Sequence, residues 1–288
     1  MADSFLQGFS VSGDTSGRLP LVIASPHAGR DYPAAFLAAT PLTLGQLRRA
    51  EDPFVDALLD GITEVPVMRA LFGRAWLDLN RAEDEIDPAM FEDNVAPFAA
   101  RQTDRVTAGL GVLPRLAAQG LEIYRRRIAS ADGRERIVQV HRPYHARLGE
   151  LLDRARARHG YAILLDCHSM PTPMGALPPQ IVLGDRHGSS ASARLVGFIE
   201  THCRAAGWRV GRNDPYAGGF TTEHHAAPAN GTHAVQIEID RSLYMDPARM
   251  LRHTGFSHVA RMLTSLATAV VEAAPALGLG PVLREAAE

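Results

Sequence analysis

Ala162-Ile163-Leu164-Leu165-Asp166-Cys167-His168-Ser169 decides the fold. An apolar run with the length of a buried strand stops abruptly at an acid and a histidine. Two more stretches repeat the design. Pro20-Leu21-Val22-Ile23-Ala24 runs into Ser25-Pro26-His27-Ala28-Gly29, and Ala234-Val235-Gln236-Ile237 runs into Glu238-Ile239-Asp240-Arg241. Short apolar runs alternating with helical patterns imply an α/β architecture. In open α/β sheets ligands bind outside the carboxyl ends of the strands. His27, His168 and Glu238 are therefore delivered to the edge where chemistry is expected.

Working outward, further strands are expected at 65–69, 75–79, 136–140 and 180–183, with the central ones at 20–24, 161–165 and 233–239. Thr43 reads as the cap of a helix that breaks near Pro53 and resumes through Leu59, which puts Asp52 at the break. Residues 103–118, 143–158 and 189–206 read as helices. Asp246-Pro247 reads as the start of a last helix whose apolar side carries Leu251, Val259, Met262, Leu263, Leu266 and Val270. The stretch 213–232, rich in Gly, Pro, Thr and His, reads as a long functional loop. No linker composition divides the chain, so one domain is expected over 1–288, with a motif-bearing core at 20–272.

Composition narrows the function. The 288 residues are 46% hydrophobic with a formal charge of -2, which points to neither nucleic acid nor a membrane surface as partner. All 30 basic residues are arginine, which removes Schiff-base and phosphate-loop lysine chemistry. Two cysteines make no disulfide framework, and no secretory segment follows Met1, so a reducing, cytoplasmic location is expected. Cys167 beside His168 points to the opposite face of its strand and reads as packing rather than as a nucleophile.

A catalytic zinc site takes three ligands from His and Asp/Glu and keeps one position open. His27 and His168 supply two. Asp52, its neighbour Glu51, and Asp31 compete for the third. Glu238, in an otherwise apolar run, is the candidate general base, since a carboxylate there is costly without a function or a partner. Trp76-Leu77-Asp78-Leu79-Asn80-Arg81 ends in a pair suited to a carboxylate: the fork of Arg81 and the amide of Asn80. Arg74 could polarise a substrate carbonyl. His145, His224 and Arg241 are further candidates for the pocket.

Ser-Pro-His-Ala-Gly, Asp-Leu-Asn-Arg, Arg-Pro-Tyr-His, Asp-Cys-His-Ser-Met, Gly-Gly-Phe-Thr and Gln-Ile-Glu-Ile-Asp-Arg occur in this order, and the chain resembles the N-formylglutamate amidohydrolase family. The resemblance implies a mixed central sheet flanked by helices, of the zinc-carboxypeptidase-like (phosphorylase/hydrolase-like) type. It implies one zinc on His27, Asp52 and His168, and Glu238 as base and acid. It implies Asn80 and Arg81 on the substrate's α-carboxylate and Arg74 on the scissile carbonyl. The implied reaction turns N-formyl-L-glutamate into formate and L-glutamate, a step of histidine degradation. The pattern departs at Arg30, where carboxypeptidases place their acid ligand, and at Glu223, where the family pattern carries arginine.

Overall fold

A computed structural model of the chain describes residues 7–93 and 98–281. The strands are β1 (Phe9–Ser12), β2 (Leu21–Ser25), β3 (Val67–Ala70), β4 (Ala162–Met170), β5 (Ile181–Gly184), β6 (Val210–Arg212), β7 (Thr232–Asp240), β8 (Met245–Asp246) and β9 (Leu251–Arg252). The α-helices are α1 (Ala34–Ala39), α2 (Leu44–Leu47), α3 (Val55–Leu58), α4 (Asp104–Thr107), α5 (Ser130–Arg136), α6 (Arg142–His159), α7 (Ala193–Ala205), α8 (Phe220–His225) and α9 (Phe256–Ala273). A mixed seven-stranded sheet runs in the order β1-β3-β2-β4-β7-β5-β6, and helices flank it. β2, β4 and β7 are mutually parallel neighbours, while β5 is antiparallel to β7. β4 and β7 are buried along their whole length, as expected for strands covered on both faces.

The described chain gathers into two compact units. One holds residues up to Ser10, Pro26–Pro53 and Arg69–Arg147; the other holds Val11–Ser25, Phe54–Met68 and Leu148 onward. No helix among the described residues is long and apolar enough to cross a membrane.

The capped helix at Thr43 is present: its side chain accepts from the Gln46 N–H in a complete capping box. Four expectations need correction. Residues 75–79 form turns, not a strand; Trp76 N–H bonds the Gly73 carbonyl and Asp78 N–H the Val112 carbonyl. The apolar side chains there are buried without a ladder. Residues 136–140 are not a strand either; a π-helical turn, Ile137–His141, joins α5 to α6. The helix expected over 103–118 stops at α4, because Gly109 adopts a φ of +76° and Pro114 cannot continue it. Asp246 caps only a turn, accepting from Ala248 and Arg249, and the long helix begins at Phe256, leaving Leu251 on the exposed β9. Val259, Met262, Leu263, Leu266 and Val270 are buried on α9 as expected. The loop 213–232 carries the short helix α8.

Both thiols are free and buried, Cys167 on β4 and Cys203 on α7. Burial pushes the Cys203 thiol up to about 11. At pH 8 roughly one part in a thousand is then thiolate, the form that reacts. Neither cysteine is expected to react with an aromatic disulfide reagent at pH 8 in the native protein, and both are expected to react in denaturant. Fast labelling of the native protein would contradict this packing.

Candidate metal centre and active site

His27 lies in the turn that follows β2. Gly29 makes that turn possible, since a Cβ there would collide with the Phe72 carbonyl. Asp52 reaches His27 through the main chain: Asp52 N–H donates to the His27 carbonyl at 2.9 Å. The helical run from α2 ends at Ala50, and Pro53 forces its predecessor out of helical geometry, so the Asp52 carboxylate turns back toward the ring. Asp52 Oδ2 stands 3.5 Å from His27 Nδ1, both side chains 3% exposed. His168 is buried on β4. One ligand atom from each of His27, Asp52 and His168 lies within 4.8 Å of the others, the one such cluster among the described residues.

The rival acids are placed elsewhere. Asp31 is exposed and is bridged through its backbone to Phe72. Glu51 is buried and accepts from the Tyr32 hydroxyl at 2.8 Å; burial, opposed by that hydroxyl and by Arg48, raises its carboxyl to about 7.

Each histidine is held from behind by a carboxylate. His27 Nε2 donates to Asp78 Oδ1 at 2.7 Å. His168 Nε2 is 3.1 Å from Asp166 Oδ2. A carboxylate on one ring nitrogen fixes the tautomer and aims the other nitrogen, the usual arrangement behind a metal-binding histidine. The two acids differ in how their charge is met. Burial works against ionisation of Asp78, but Arg74 (2.8 Å), His27 and Arg81 outweigh it and hold the carboxyl well below its usual range. Asp166 is fully buried; among the described residues its Oδ2 receives a long bond from Thr222 Oγ1 besides the histidine, and its Oδ1 has no hydrogen-bond partner. Neither supporting role is evident from residue type alone. For Asp166 a signal existed: residues two apart on a strand share a face.

β7 completes that face. Glu238 is in parallel register with His168, and Gln236 with Asp166. Glu238 is 6% exposed, and its Oε1 accepts from Gln236 Nε2 at 2.8 Å. Gln236 Oε1 in turn accepts from the Gly219 N–H at 2.8 Å, which ties the Gly-rich loop to the carboxylate. Arg241 donates through Nε to Ser169 Oγ at 3.0 Å, beside His168.

The expected anion pair sits in the loop after Asp78. Asn80 is buried, and its N–H donates to Asp78 Oδ1. Arg81 Nε donates to the Leu110 carbonyl and Nη1 to the Asn80 carbonyl, so part of its fork serves the loop itself. His145 and His141 pin this loop, bonding the Leu79 and Arg81 carbonyls at 2.9 and 2.8 Å. Arg74 is bound to Asp78 and remains partly exposed. His224 is exposed at the end of α8, stacked on Phe220 at 4.9 Å. Glu223 beside it is paired with Arg186 at 3.0 Å, so its charge is met locally.

Fold and site together define an α/β protein with a candidate three-ligand metal centre. Its kind is specific: residues 19–245 match the family model for N-formylglutamate amidohydrolase, and the chain belongs to that family, whose members act on an amide bond. It is 32% identical over 239 residues to an N-formylglutamate deformylase of Pseudomonas aeruginosa, covering 80% of this chain and 84% of the relative. A Pseudomonas putida deformylase is 31% identical over 246 residues, covering 80% and 83%. The crystal structure of an N-formylglutamate amidohydrolase from Ralstonia eutropha JMP134 superposes with a TM-score of 0.86 at 34% identity, over 93% of this chain and 98% of that one.

Proposed function

We propose that this chain is a zinc-dependent amidohydrolase that cleaves N-formyl-L-glutamate to formate and L-glutamate. The observation that carries the reading is the buried cluster of His27, Asp52 and His168 with Glu238 in register beside His168. Two imidazoles and one carboxylate fit a catalytic zinc with one position open. The buried carboxylate of Asp166 behind His168, its Oδ1 without a hydrogen-bond partner among the described residues, also fits a site that holds a cation. When bound, zinc would polarise the formyl carbonyl and acidify a water.

The chain's own residues supply the rest. Asn80 and Arg81 hold the α-carboxylate and so fix the scissile amide. Arg74 lies beside them to polarise the carbonyl, while His145 keeps the loop in place. Glu238 accepts the proton of the attacking water on one carboxylate oxygen and returns it to the nitrogen as the C–N bond breaks. Gln236 holds the other oxygen still. His224, on α8, and Arg241, bonded to Ser169 beside His168, border the substrate. The unbroken family match supports one functional domain, and the two free, buried cysteines support a cytoplasmic enzyme.

Formate release across a panel tests the substrate. N-formyl-L-glutamate is expected to exceed N-formyl-L-alanine in kcat/KM by on the order of a hundredfold, the weight of one well-placed charge pair. A second reading, a hydrolase of other N-formyl or N-acyl amino acids, draws on the acid at position 223. Equal rates with the two substrates would establish it. Binding without hydrolysis of any panel member would establish a non-catalytic relative.

A further inference from the structure

Arg136 carries a buried charge that no described acid meets. It ends α5, where the helix widens into the π-helical turn Ile137–His141, and such turns recur at functional sites. The residue is 8% exposed. Its Nη1 donates to the Trp76 carbonyl at 3.2 Å and to the Tyr124 hydroxyl at 2.7 Å. The guanidinium lies 5.2 Å from the Trp76 ring centroid, 5.7 Å from Phe36 and 5.9 Å from Tyr124. Among the described residues Nε and Nη2 make no hydrogen bond, and no carboxylate pairs with the group.

A buried charge is costly unless an opposite charge meets it. Ring faces recover only part of that cost. Arg81, by contrast, has Asp78 at 3.9 Å. The walls of the Arg136 cage also belong to segments that carry the candidate site. Trp76 is two residues from Asp78, the acid behind His27. Phe36 stacks on Tyr32 at 5.6 Å, and the Tyr32 hydroxyl donates to Glu51, the neighbour of Asp52.

We infer that Arg136, walled by Phe36, Trp76 and Tyr124, is the subsite for a second carboxylate on the substrate. The ligand class is a dicarboxylic N-acyl amino acid, with the side-chain carboxylate taken by the open edge of the guanidinium. This rests on the substrate reading above and deepens it: Asn80 and Arg81 take the α-carboxylate, and Arg136 takes the distal one.

The test compares acid and amide substrates of equal shape. For N-formyl-L-glutamate, Arg136→Gln is expected to lower kcat/KM by about a hundredfold, mostly through KM. N-formyl-L-glutamine is expected to stay within about threefold, because it offers no charge to the site. Arg136→Lys, which keeps the cage filled and the charge present, is expected to lose about tenfold on the acid alone, for want of the planar fork. If Arg136→Gln fails to fold by circular dichroism, the lysine variant decides. Equal losses on both substrates, or none on either, overturn the inference. The pair N-formyl-L-aspartate and N-formyl-L-asparagine separates the two readings. A wild-type preference for the acid there, lost in the variants, supports the subsite even where N-formyl-L-glutamate proves a poor substrate.

Discussion

Glu238→Gln is expected to lower kcat on N-formyl-L-glutamate by roughly 10²–10⁴-fold, the usual contribution of a positioned acid–base group. Metal content per chain is expected to stay at the wild-type level. The two expectations follow from one geometry. Glu238 is not in the ligand cluster, so its charge is not needed to hold the ion. Its hydrogen bond survives the change, since the amide oxygen of glutamine can still accept from Gln236 Nε2. The capacity to take and return a proton is removed. Folding should not suffer, because a neutral amide costs less to bury than a carboxylate. Elemental analysis, a thermal melt and a formate assay read the three quantities separately. A variant that keeps more than about a tenth of the wild-type kcat would end the role of Glu238 as base.

Two central strands were legible: Leu21–Ser25 and Thr232–Asp240 lie close to the strands expected at 20–24 and 233–239. β4 does not end at 165 as expected: it runs on through Asp166, Cys167 and His168 to Met170, because pairing with β7 continues past the change from apolar to polar residues. Residues 75–79 and 136–140 were not legible, since a short apolar run is equally a strand, a buried turn or a buried helical segment. Trp76, Leu77, Ile137 and Val140 are buried as their chemistry demands, but tertiary packing chose the backbone. The third ligand shows the same limit. Asp31 and Asp52 are equal as residue types, and the bond from Asp52 N–H to the His27 carbonyl separates them. That bond depends on how residues 26 and 53 turn, not on local preference. Asp78, Asp166 and Gln236 act through neighbours in space, and the Arg136 cage draws on four separate stretches of chain.

Removing the metal is expected to abolish turnover, to below about a thousandth of the starting rate, since the carbonyl polarisation and the water activation both depend on it. Stability is expected to fall as well. An ion held a thousandfold above its dissociation constant stabilises the native state by about 4 kcal/mol. At roughly 2 °C per kcal/mol for a chain of this size, that is a fall in Tm of about 8 °C on chelation. The asymmetry between the two supporting acids makes the expectation sharper. Asp78 has Arg74 and Arg81 to balance it with or without an ion, whereas Asp166 is fully buried with Oδ1 unpartnered. Both Asp78→Asn and Asp166→Asn are expected to weaken metal affinity by about 10–100-fold, because each loosens one histidine. Only Asp166→Asn is expected to raise the Tm of the metal-free protein, by relieving a buried carboxylate whose Oδ1 has no hydrogen-bond partner among the described residues. Asp78→Asn is expected to lower that Tm, because it strips Arg74 and the partly buried Arg81 of their shared partner. Titration calorimetry with zinc and paired melts of apo and loaded protein measure these effects. Full activity after exhaustive chelation would remove the metal from the mechanism. Identical apo melts for the two variants would remove the distinction between the acids, and with it the argument that Asp166 waits for a cation on His168.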